Sequence, residues 1–338
     1  MPPIPSALSR RTLLKACALG AAPLGVPGLV LPVQAANVRE FSLLAAPGRA
    51  QLVPEPHGET PVWCYDGTVP GPEIRVRQRE RLRITVENGL TEETTVHWHG
   101  LRVPNAMDGV AHLTQPPIAP GANFVYEFDA VDAGTFWYHP HHRSFEQVGR
   151  GLYGPLIVEE PEPPRVDRDL VWVLGDWRLT RSAEISDDFG SARDIGHNGR
   201  IGNTVTINGR VPNEFSGRSG ERIRLRLVNA ANARIFGLDF QGHEPTVIAY
   251  DGQPVAPHAP AGGLVVLGPA MRVDIILDMV GKPHDRASVI DRFYRGLEYR
   301  LVDLVYDRTP LRNSAPDWPI ALRANPLPEP DKLRNAMR

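Results

Sequence analysis

Two closely spaced pairs of histidines are the residues of this sequence best suited to chemistry. The first is His97-Trp98-His99, and the second, His139-Pro140-His141, begins 40 residues after His99. The residues around both pairs favour β-strands, and on a strand residues two apart point to the same face. Each pair therefore presents two imidazoles side by side. Brought together, the pairs offer four nitrogen ligands and no thiolate, which predicts a transition-metal site.

Ligand chemistry narrows the choice of metal. Imidazole binds copper, zinc, iron and nickel, and copper(II) binds most tightly in the divalent series, whereas structural zinc usually takes thiolates. The alternative interpretation is that these histidines are hydrogen-bonded core residues. That explanation is reasonable for one histidine on a strand, but two His-x-His pairs in one region favour the metal site.

Short strands must position these pairs, and the chain before them has the pattern of such strands. Apolar residues and arginines occupy opposite faces, with Ile74, Val76, Leu82, Ile84 and Val86 on one and Arg75, Arg77, Arg79, Arg81 and Arg83 on the other. Glutamates and polar residues interleave with the arginines, so we interpret the row as a solvated sheet face and not as a nucleic-acid surface. The 34 prolines and 31 glycines, spread between short apolar runs, are typical of a turn-rich all-β protein.

The sequence repeats itself once. Residues 80–88 are echoed by residues 221–229, 141 positions later, and Gly67-Thr68-Val69-Pro70 is echoed by Gly209-Arg210-Val211-Pro212 at nearly the same offset. Two matches at one offset indicate a duplicated domain. We predict one domain over residues 36–160, a linker over 161–168 and a second domain over 169–307, of which only the first carries His-x-His pairs.

Residues 1–35 have the pattern of a targeting segment. Two consecutive arginines, Arg10 and Arg11, precede a moderately apolar run, which is typical of a twin-arginine signal. Prolines 23, 27 and 32 interrupt that run, so a stable membrane span is not expected. The signal predicts export of an already folded protein to the periplasm. The near balance of 37 basic and 39 acidic residues implies no nucleic-acid partner.

The two cysteines carry little chemistry. Cys17 lies in the targeting segment, so Cys64 is alone in the mature chain and cannot form an internal disulfide. We interpret Cys64 as a small apolar packing residue.

Several motifs, taken in order, resemble the first domain of a multicopper oxidase of the laccase type. They are His97 to Leu101 (HWHGL), Asp108-Gly109, Thr114 to Ile118 (TQPPI), Trp137 to His141 (WYHPH) and Gly151 to Val158 (GLYGPLIV). Residues 268–274 resemble the closing strand of the family's second domain. The resemblance implies two tandem cupredoxin-like Greek-key β-sandwich or barrel domains, bound copper, and oxidation of a phenolic or metal-ion substrate coupled to reduction of O2 to water.

The resemblance also assigns roles to individual residues. It implies that His97 binds the mononuclear copper of a trinuclear cluster, that His99 and His139 bind one copper of the coupled pair, and that His141 binds the other. It matches Asp108 to an acidic residue that supports proton delivery, although an ordinary Asp-Gly turn is an equal alternative. His112 and His142 have no counterpart, and His243 is interpreted as structural.

One family feature is not found in this sequence. The blue-copper motif His-Cys-His of the family's last domain does not occur, and four of the cluster's eight histidines are accounted for. Residues 308–338 resemble the linker to a third domain. We therefore expect the amino-terminal part of an oxidase, truncated or completed by another chain, and inactive alone. The alternatives are an exported non-enzymatic scaffold and a copper-binding or copper-tolerance protein, the latter weakened by only five methionines.

Overall fold

Nearly all regular structure in the described part of the protein is β-strand. The computed structural model describes residues 38–327, so the predicted signal with Cys17 and the last eleven residues lie outside the described part. The strands of the first domain are β1 Val38–Ala50, β2 Thr60–Tyr65, β3 Ile74–Arg77, β4 Arg81–Asn88, β5 His97–His99, β6 Asn123–Asp129, β7 Gly134–His139 and β8 Gly154–Glu159. They form two four-stranded sheets, in the orders β2-β1-β4-β6 and β3-β8-β7-β5.

The second domain has the same plan with extra strands. Its strands are β9 Arg168–Trp177, β10 Thr204–Ile207, β11 Glu214–Gly217, β12 Arg222–Asn229, β13 Phe236–Phe240, β14 Thr246–Tyr250, β15 Gln253–His258, β16 Val265–Leu267, β17 Arg272–Asp278, β18 Arg286–Asp291 and β19 Tyr299–Tyr306. The sheets have the orders β10-β9-β12-β17-β14-β15 and β11-β19-β18-β13-β16. In both domains the repeated strand (β4 or β12) pairs in parallel with the first strand of its domain and antiparallel on its other side. The predicted all-β fold of two tandem sandwiches is confirmed.

Helices in the described residues are short. There are two α-helical turns, Ser144–Gln147 and Ala192–Gly196, and two 3-10 turns, Asn105–Met107 and Ala261–Gly263. None of them has the length and apolar character needed to cross a membrane.

Alternation along the strands builds each core. In β3 and β4 the apolar residues are buried and the arginines lie on the outer face, where Arg81 and Arg83 pair with Glu127. The predicted solvated face is therefore correct for these strands. Arg79 is an exception, because it lies in the turn between β3 and β4 with a φ of 74°, and alternation does not continue through a turn. Cys64 is buried in an apolar cluster, as predicted.

A buried network of charges lies where the two domains meet, and both domains belong to one compact unit. Arg224 of β12 donates two hydrogen bonds to Glu160, of 2.7 and 2.9 Å, and Arg226 donates two to Asp169, of 2.8 and 2.6 Å. Asp274 of β17 accepts from both arginines and from the hydroxyl of Thr135 in β7, at 2.6 Å. The two guanidinium side chains are fully buried. We call these residues the charge network. It connects β7, the strand that ends in His139, to the second domain, and its members are Thr135, Glu160, Asp169, Arg224, Arg226 and Asp274.

The pKa of Glu160 gives a test of this charge network. Burial alone would raise that pKa, but the hydrogen bonds and charge of Arg224 outweigh burial and hold it below its ordinary value. A depressed carboxyl pKa contributes stability above the unfolded-state value of about 4.3, and this contribution is lost as the pH falls through the folded-state value. We expect Glu160→Gln to lower the free energy of unfolding by about 2 kcal/mol at pH 7.

The difference between wild type and Glu160→Gln should shrink as the pH falls below about 4.3, since the unfolded-state carboxyl then takes up a proton while the folded-state carboxyl, with its lower pKa, stays ionised until a more acidic pH. Urea unfolding of both proteins at several pH values from 7 to 3 measures this. A difference that stays constant over the whole range would contradict a role for the ionised Glu160.

Candidate metal centre

Strands β5 and β7 bring the two histidine pairs together. They pair antiparallel, with His97 opposite His139 and His99 opposite Trp137. Trp98 and Tyr138, the alternate residues, are fully buried in the core of the first domain. The core therefore fixes the backbone on one face of the two strands, and the imidazoles occupy the other face.

His141 reaches the same place by a different route from the one predicted. Strand β7 ends at His139, and His141 lies in the bend that follows, so the period of a strand does not place it. The reason is that Pro140 has no backbone N–H to continue the ladder. The backbone N–H of His141 instead donates to the hydroxyl of Thr95, at 3.1 Å. Thr95 is a positioning residue that sequence reasoning missed, although it stands two residues before His97.

The four imidazoles form one group. The ring centroid of His97 lies 5.6 Å from that of His99, 5.5 Å from that of His139 and 4.3 Å from that of His141. One nitrogen from each of His97, His99 and His139 lies within 4.8 Å of the others. This is the convergence that the spacing of the two pairs predicts, although whether each residue binds a metal stays a prediction.

Hydrogen bonds set which nitrogen of two rings faces the group. Nδ1 of His97 lies 2.8 Å from the backbone carbonyl of Asp108, and Nδ1 of His139 lies 3.1 Å from the carbonyl of Pro140. A carbonyl oxygen only accepts, so each Nδ1 carries the proton and each Nε2 keeps its lone pair. Nδ1 of His99 lies 3.1 Å from Nε2 of His139, so these two nitrogens face one point.

The local environment lowers the pKa of two of these imidazoles, those of His99 and His139. Burial, with the charge of Arg272 and the neighbouring histidines, lowers the pKa of His99 to about 3. Burial and the same histidine neighbours lower the pKa of His139 well below its usual value. Neutral imidazoles bind metals, whereas protonated ones do not, so the site is ready for a cation at neutral pH. The donor set of neutral imidazoles on ordered strands fits copper.

Residues from elsewhere in the fold support the site. The ring of Trp137 stacks on His139 with centroids 4.1 Å apart. Arg272 of the second domain is buried, and its side chain lies so close to Gly100 that a Cβ there would be 2.2 Å from Nη2. The carboxylate of Asp108 is one-third exposed, and its Oδ1 lies 3.3 Å from Nδ1 of His97. Asp108 thus lies between the imidazole of His97 and solvent.

The turn at Gly109 holds Asp108 against the strand. Gly109 has a φ of 76°, and a Cβ there would be 1.8 Å from the backbone oxygen of Val96. We expect Gly109→Ala to lower the free energy of unfolding by at least about 2 kcal/mol, from backbone strain and this contact. The matched control is Gly121→Ala, since Gly121 has a φ of 75° but open space around it.

Gly121→Ala introduces backbone strain but no close contact. We therefore expect it to lower the free energy of unfolding by about 1 kcal/mol. Chemical unfolding of the two variants measures the difference. Equal losses would mean that the turn moves freely away from Val96, and that Asp108 is not held in place.

The other histidines that the sequence analysis singled out do not belong to this group of four. His243 contacts the hydroxyl of Tyr306 and the carbonyl of Gln241, both in the second domain, which agrees with a structural role. His112 and His142 lie together with Glu93. These three residues form a separate cluster.

Comparison with known proteins places this site in context. Family models described as multicopper oxidase match residues 48–163 and residues 168–286. The chain is 34% identical over 245 residues to the multicopper oxidase MmcO of Mycobacterium tuberculosis, covering 64% of this chain and 48% of the relative. It is 32% identical over 239 residues to copper resistance protein A of Pseudomonas syringae pv. tomato, covering 57% and 39%.

A solved structure is also similar over most of the described chain. The multi-copper oxidase from Pseudomonas thermotolerans superposes with a TM-score of 0.80 at 38% identity, covering 88% of this chain and 69% of that one. Its likeness agrees with the cupredoxin-like fold expected from the sequence. The chain spans about half the length of the curated relatives it matches.

Proposed function

Because the chain belongs to the multicopper oxidase family, we propose that His97, His99, His139 and His141 hold copper in part of a trinuclear oxygen-reducing cluster. The observation that carries this proposal is the convergence of four imidazoles, three of which have nitrogens within 4.8 Å of one another. In the proposed assignment His97 serves the mononuclear copper, His99 and His139 share one copper of the pair, and His141 serves the other. The facing nitrogens of His99 and His139 support a shared ion.

Copper bound here supplies one-electron chemistry and a binding place for O2. The protein's own residues orient and tune the ligands. The carbonyls of Asp108 and Pro140 hold Nδ1 of two imidazoles, which keeps the Nε2 lone pairs directed at the group. The side chain of Asp108, reached from solvent and adjacent to His97, passes protons toward the site during reduction of O2 to water.

The proposed reaction needs more ligands than the described residues supply. Within residues 38–327, four imidazoles converge, and no cysteine stands between two histidines. We assign the other cluster ligands and the blue-copper site to polypeptide outside the described residues, either a third domain or a complementing chain. The reducing substrate is a small phenol or a metal ion, and the proposed location, from the twin-arginine pattern, is the periplasm.

A second candidate function is copper binding without turnover, as part of copper tolerance. One relative bears the name copper resistance protein A, and that name favours this candidate. A scaffold without copper is disfavoured, because grouping four imidazoles against one another has no structural advantage over an apolar strand face. The two candidates differ in whether oxygen is consumed.

Metal analysis of the purified chain, combined with an oxygen-uptake assay on a phenolic dye, tests the proposal. Two or three copper ions per chain with oxygen uptake support an oxidase whose cluster is completed in the sample. Copper without uptake supports the tolerance candidate or an incomplete cluster, and adding a polypeptide that carries His-Cys-His then separates the two. If protein refolded or loaded with excess copper contained no copper, both the oxidase and the copper-tolerance candidates would be wrong.

A further inference from the structure

A second group of side chains with ligand atoms close to one another includes His142, the residue that follows His141. Glu93, His112 and His142 each place one ligand atom within 4.8 Å of the other two. We propose that these three residues, here called the outer cluster, form a separate and exchangeable site for a divalent transition-metal ion, with copper(II) preferred. The proposal uses none of His97, His99, His139 and His141, here called the inner group. It can therefore be tested independently of the proposed oxidase function.

The chemistry of the donor set selects the class of ion. Two imidazoles and one carboxylate suit copper, zinc and nickel, and they do not suit the hard ions calcium and magnesium, which require oxygen ligands. Among divalent ions, copper(II) binds such a set most tightly. None of the three residues is buried, so water completes the coordination and the ion can exchange with solvent.

The three side chains have no competing partner in the described part of the chain. No hydrogen bond or ion pair within residues 38–327 involves the carboxylate of Glu93 or the ring nitrogens of His112 and His142. The neighbouring acid, Glu92, does pair with Arg143, with N and O 2.9 Å apart. The outer cluster is thus a set of unused donors next to a stretch in which the charged groups are otherwise paired.

A buried glutamine fixes two of the three backbone segments to each other. Gln147 is fully buried, and its side-chain amide donates to Glu92 and to the backbone carbonyl of Glu93, both at 2.8 Å. Its amide oxygen accepts from the hydroxyl of Thr94, at 2.7 Å. Because Gln147 belongs to the helical turn that follows His142, it locks the segment of Glu93 to that of His142.

The loop that carries His112 is held to the same place. Thr94 and Ile118 exchange backbone hydrogen bonds of 3.1 and 2.8 Å, which join the strand-free segment of Glu93 to the end of this loop. The backbone N–H of His112 donates to the carbonyl of Gln115, at 2.9 Å. His112 itself has a φ of 63°, an uncommon conformation for a residue other than glycine. The backbone positions of all three residues are therefore fixed before an ion arrives.

Only small movements are needed for the outer cluster to bind. Metal–nitrogen and metal–oxygen bonds of about 2.0–2.2 Å place two ligand atoms on one ion at most about 4 Å apart. The observed limit of 4.8 Å leaves less than 1 Å to close. Rotation of solvent-accessible side chains on fixed backbones covers that distance.

The test removes two histidines of the inner group and then measures copper(II) bound to the outer cluster. The parent protein for this test carries His97→Ala and His139→Leu. We expect it to retain one exchangeable copper(II) per chain in equilibrium dialysis, with an electron spin-echo spectrum showing two imidazole nitrogens. Zinc(II) should displace the copper(II) when in excess, and magnesium(II) should not.

Two variants in this parent identify the ligands. His112→Asn removes one imidazole and keeps a residue that tolerates positive φ, and Glu93→Gln removes the charge with little change in shape. Each should weaken copper(II) binding by about tenfold or more, and His112→Asn should leave a one-imidazole spectrum. The matched control is His57→Ala, which removes an exposed histidine outside the cluster.

Binding unchanged by both ligand variants, or weakened equally by His57→Ala, would overturn the proposal, because the copper would then be held by scattered surface histidines. A parent protein that binds no copper(II) but gives a native circular dichroism spectrum would also overturn it. If the parent loses its fold, the same ligand variants are compared in the wild-type chain by the loss of the exchangeable copper alone.

Discussion

Replacing Arg224 with methionine is expected to lower the free energy of unfolding by about 3–5 kcal/mol. Arg224 is fully buried and hydrogen-bonds to both Glu160 and Asp274. Methionine has a similar length but no charge, so Glu160, Asp169 and Asp274 would be left with Arg226 and, for Asp169 alone, the more distant Arg75 at 3.7 Å. Removing one partner from a buried ionic network is costly because the remaining charges stay desolvated.

The sequence repeat supplies a matched control for this variant. Arg83 stands 141 residues before Arg224, at the equivalent position of the repeated strand. It also has two acidic partners, Glu40 at 3.0 Å and Glu127 at 2.9 Å, but it lies on the solvated face of β4. Arg83→Met should therefore change the free energy of unfolding far less than Arg224→Met, since water replaces the lost contacts.

Urea unfolding at pH 7, with circular dichroism and tryptophan fluorescence as separate probes, measures both variants. The fluorescence probe also reports whether the two domains still unfold together, because the charge network joins them. Equal losses for Arg83→Met and Arg224→Met would refute the view that burial at the domain contact sets the strength of this network. A stabilised Arg224→Met protein would mean that well-packed apolar contacts outweigh the ions there.

The comparison of these two arginines shows what the sequence could and could not predict. The repeat predicts the pairing pattern, and Arg83 and Arg224 do face acidic residues of the first strand in their domains, Glu40 and Asp169. It does not predict that every residue of β12 is buried. Burial of the outer face of β12 depends on contacts with the other domain, including Thr135, and local alternation carries no information about such docking.

At the metal centre, too, the sequence predicts some features and not others. Two His-x-His pairs predict converging imidazoles, because the period of a strand is a local property that the sequence displays directly. The bend at Pro140, the hydroxyl of Thr95 and the side chain of Arg272 depend on how distant segments pack, so no spacing rule reveals them. The outer cluster could not be predicted for the same reason. Glu93, His112 and His142 lie on three loops, and only the tertiary structure brings these loops together.

His139→Leu is expected to have the largest effect on copper binding by the inner group. His139 is buried, stacks on Trp137 and faces His99, so its loss removes a nitrogen from the centre of the four. We expect copper affinity to fall by more than about 100-fold, beyond the 10- to 100-fold typical of changes outside the ligand set. Leucine fills much of the imidazole volume, so the copper-free variant should keep its fold.

Copper-dependent stability separates this loss of affinity from a loss of fold. A ligand at about 100 times its dissociation constant stabilises the native state by about 2.7 kcal/mol, and a 100-fold weaker site at the same free concentration adds about 0.4 kcal/mol. Thermal unfolding in chelator-buffered copper, with every protein in the series carrying His112→Asn so that the outer cluster does not contribute, should therefore show a copper-induced rise in Tm when His139 is present and almost none for His139→Leu. The control His258→Ala removes an exposed second-domain histidine and should keep the full rise. The copper-free Tm of each protein shows whether its fold is intact. If His139→Leu kept the full copper-induced rise in Tm, copper would bind without His139, and the proposed sharing of one ion between His99 and His139 would be wrong.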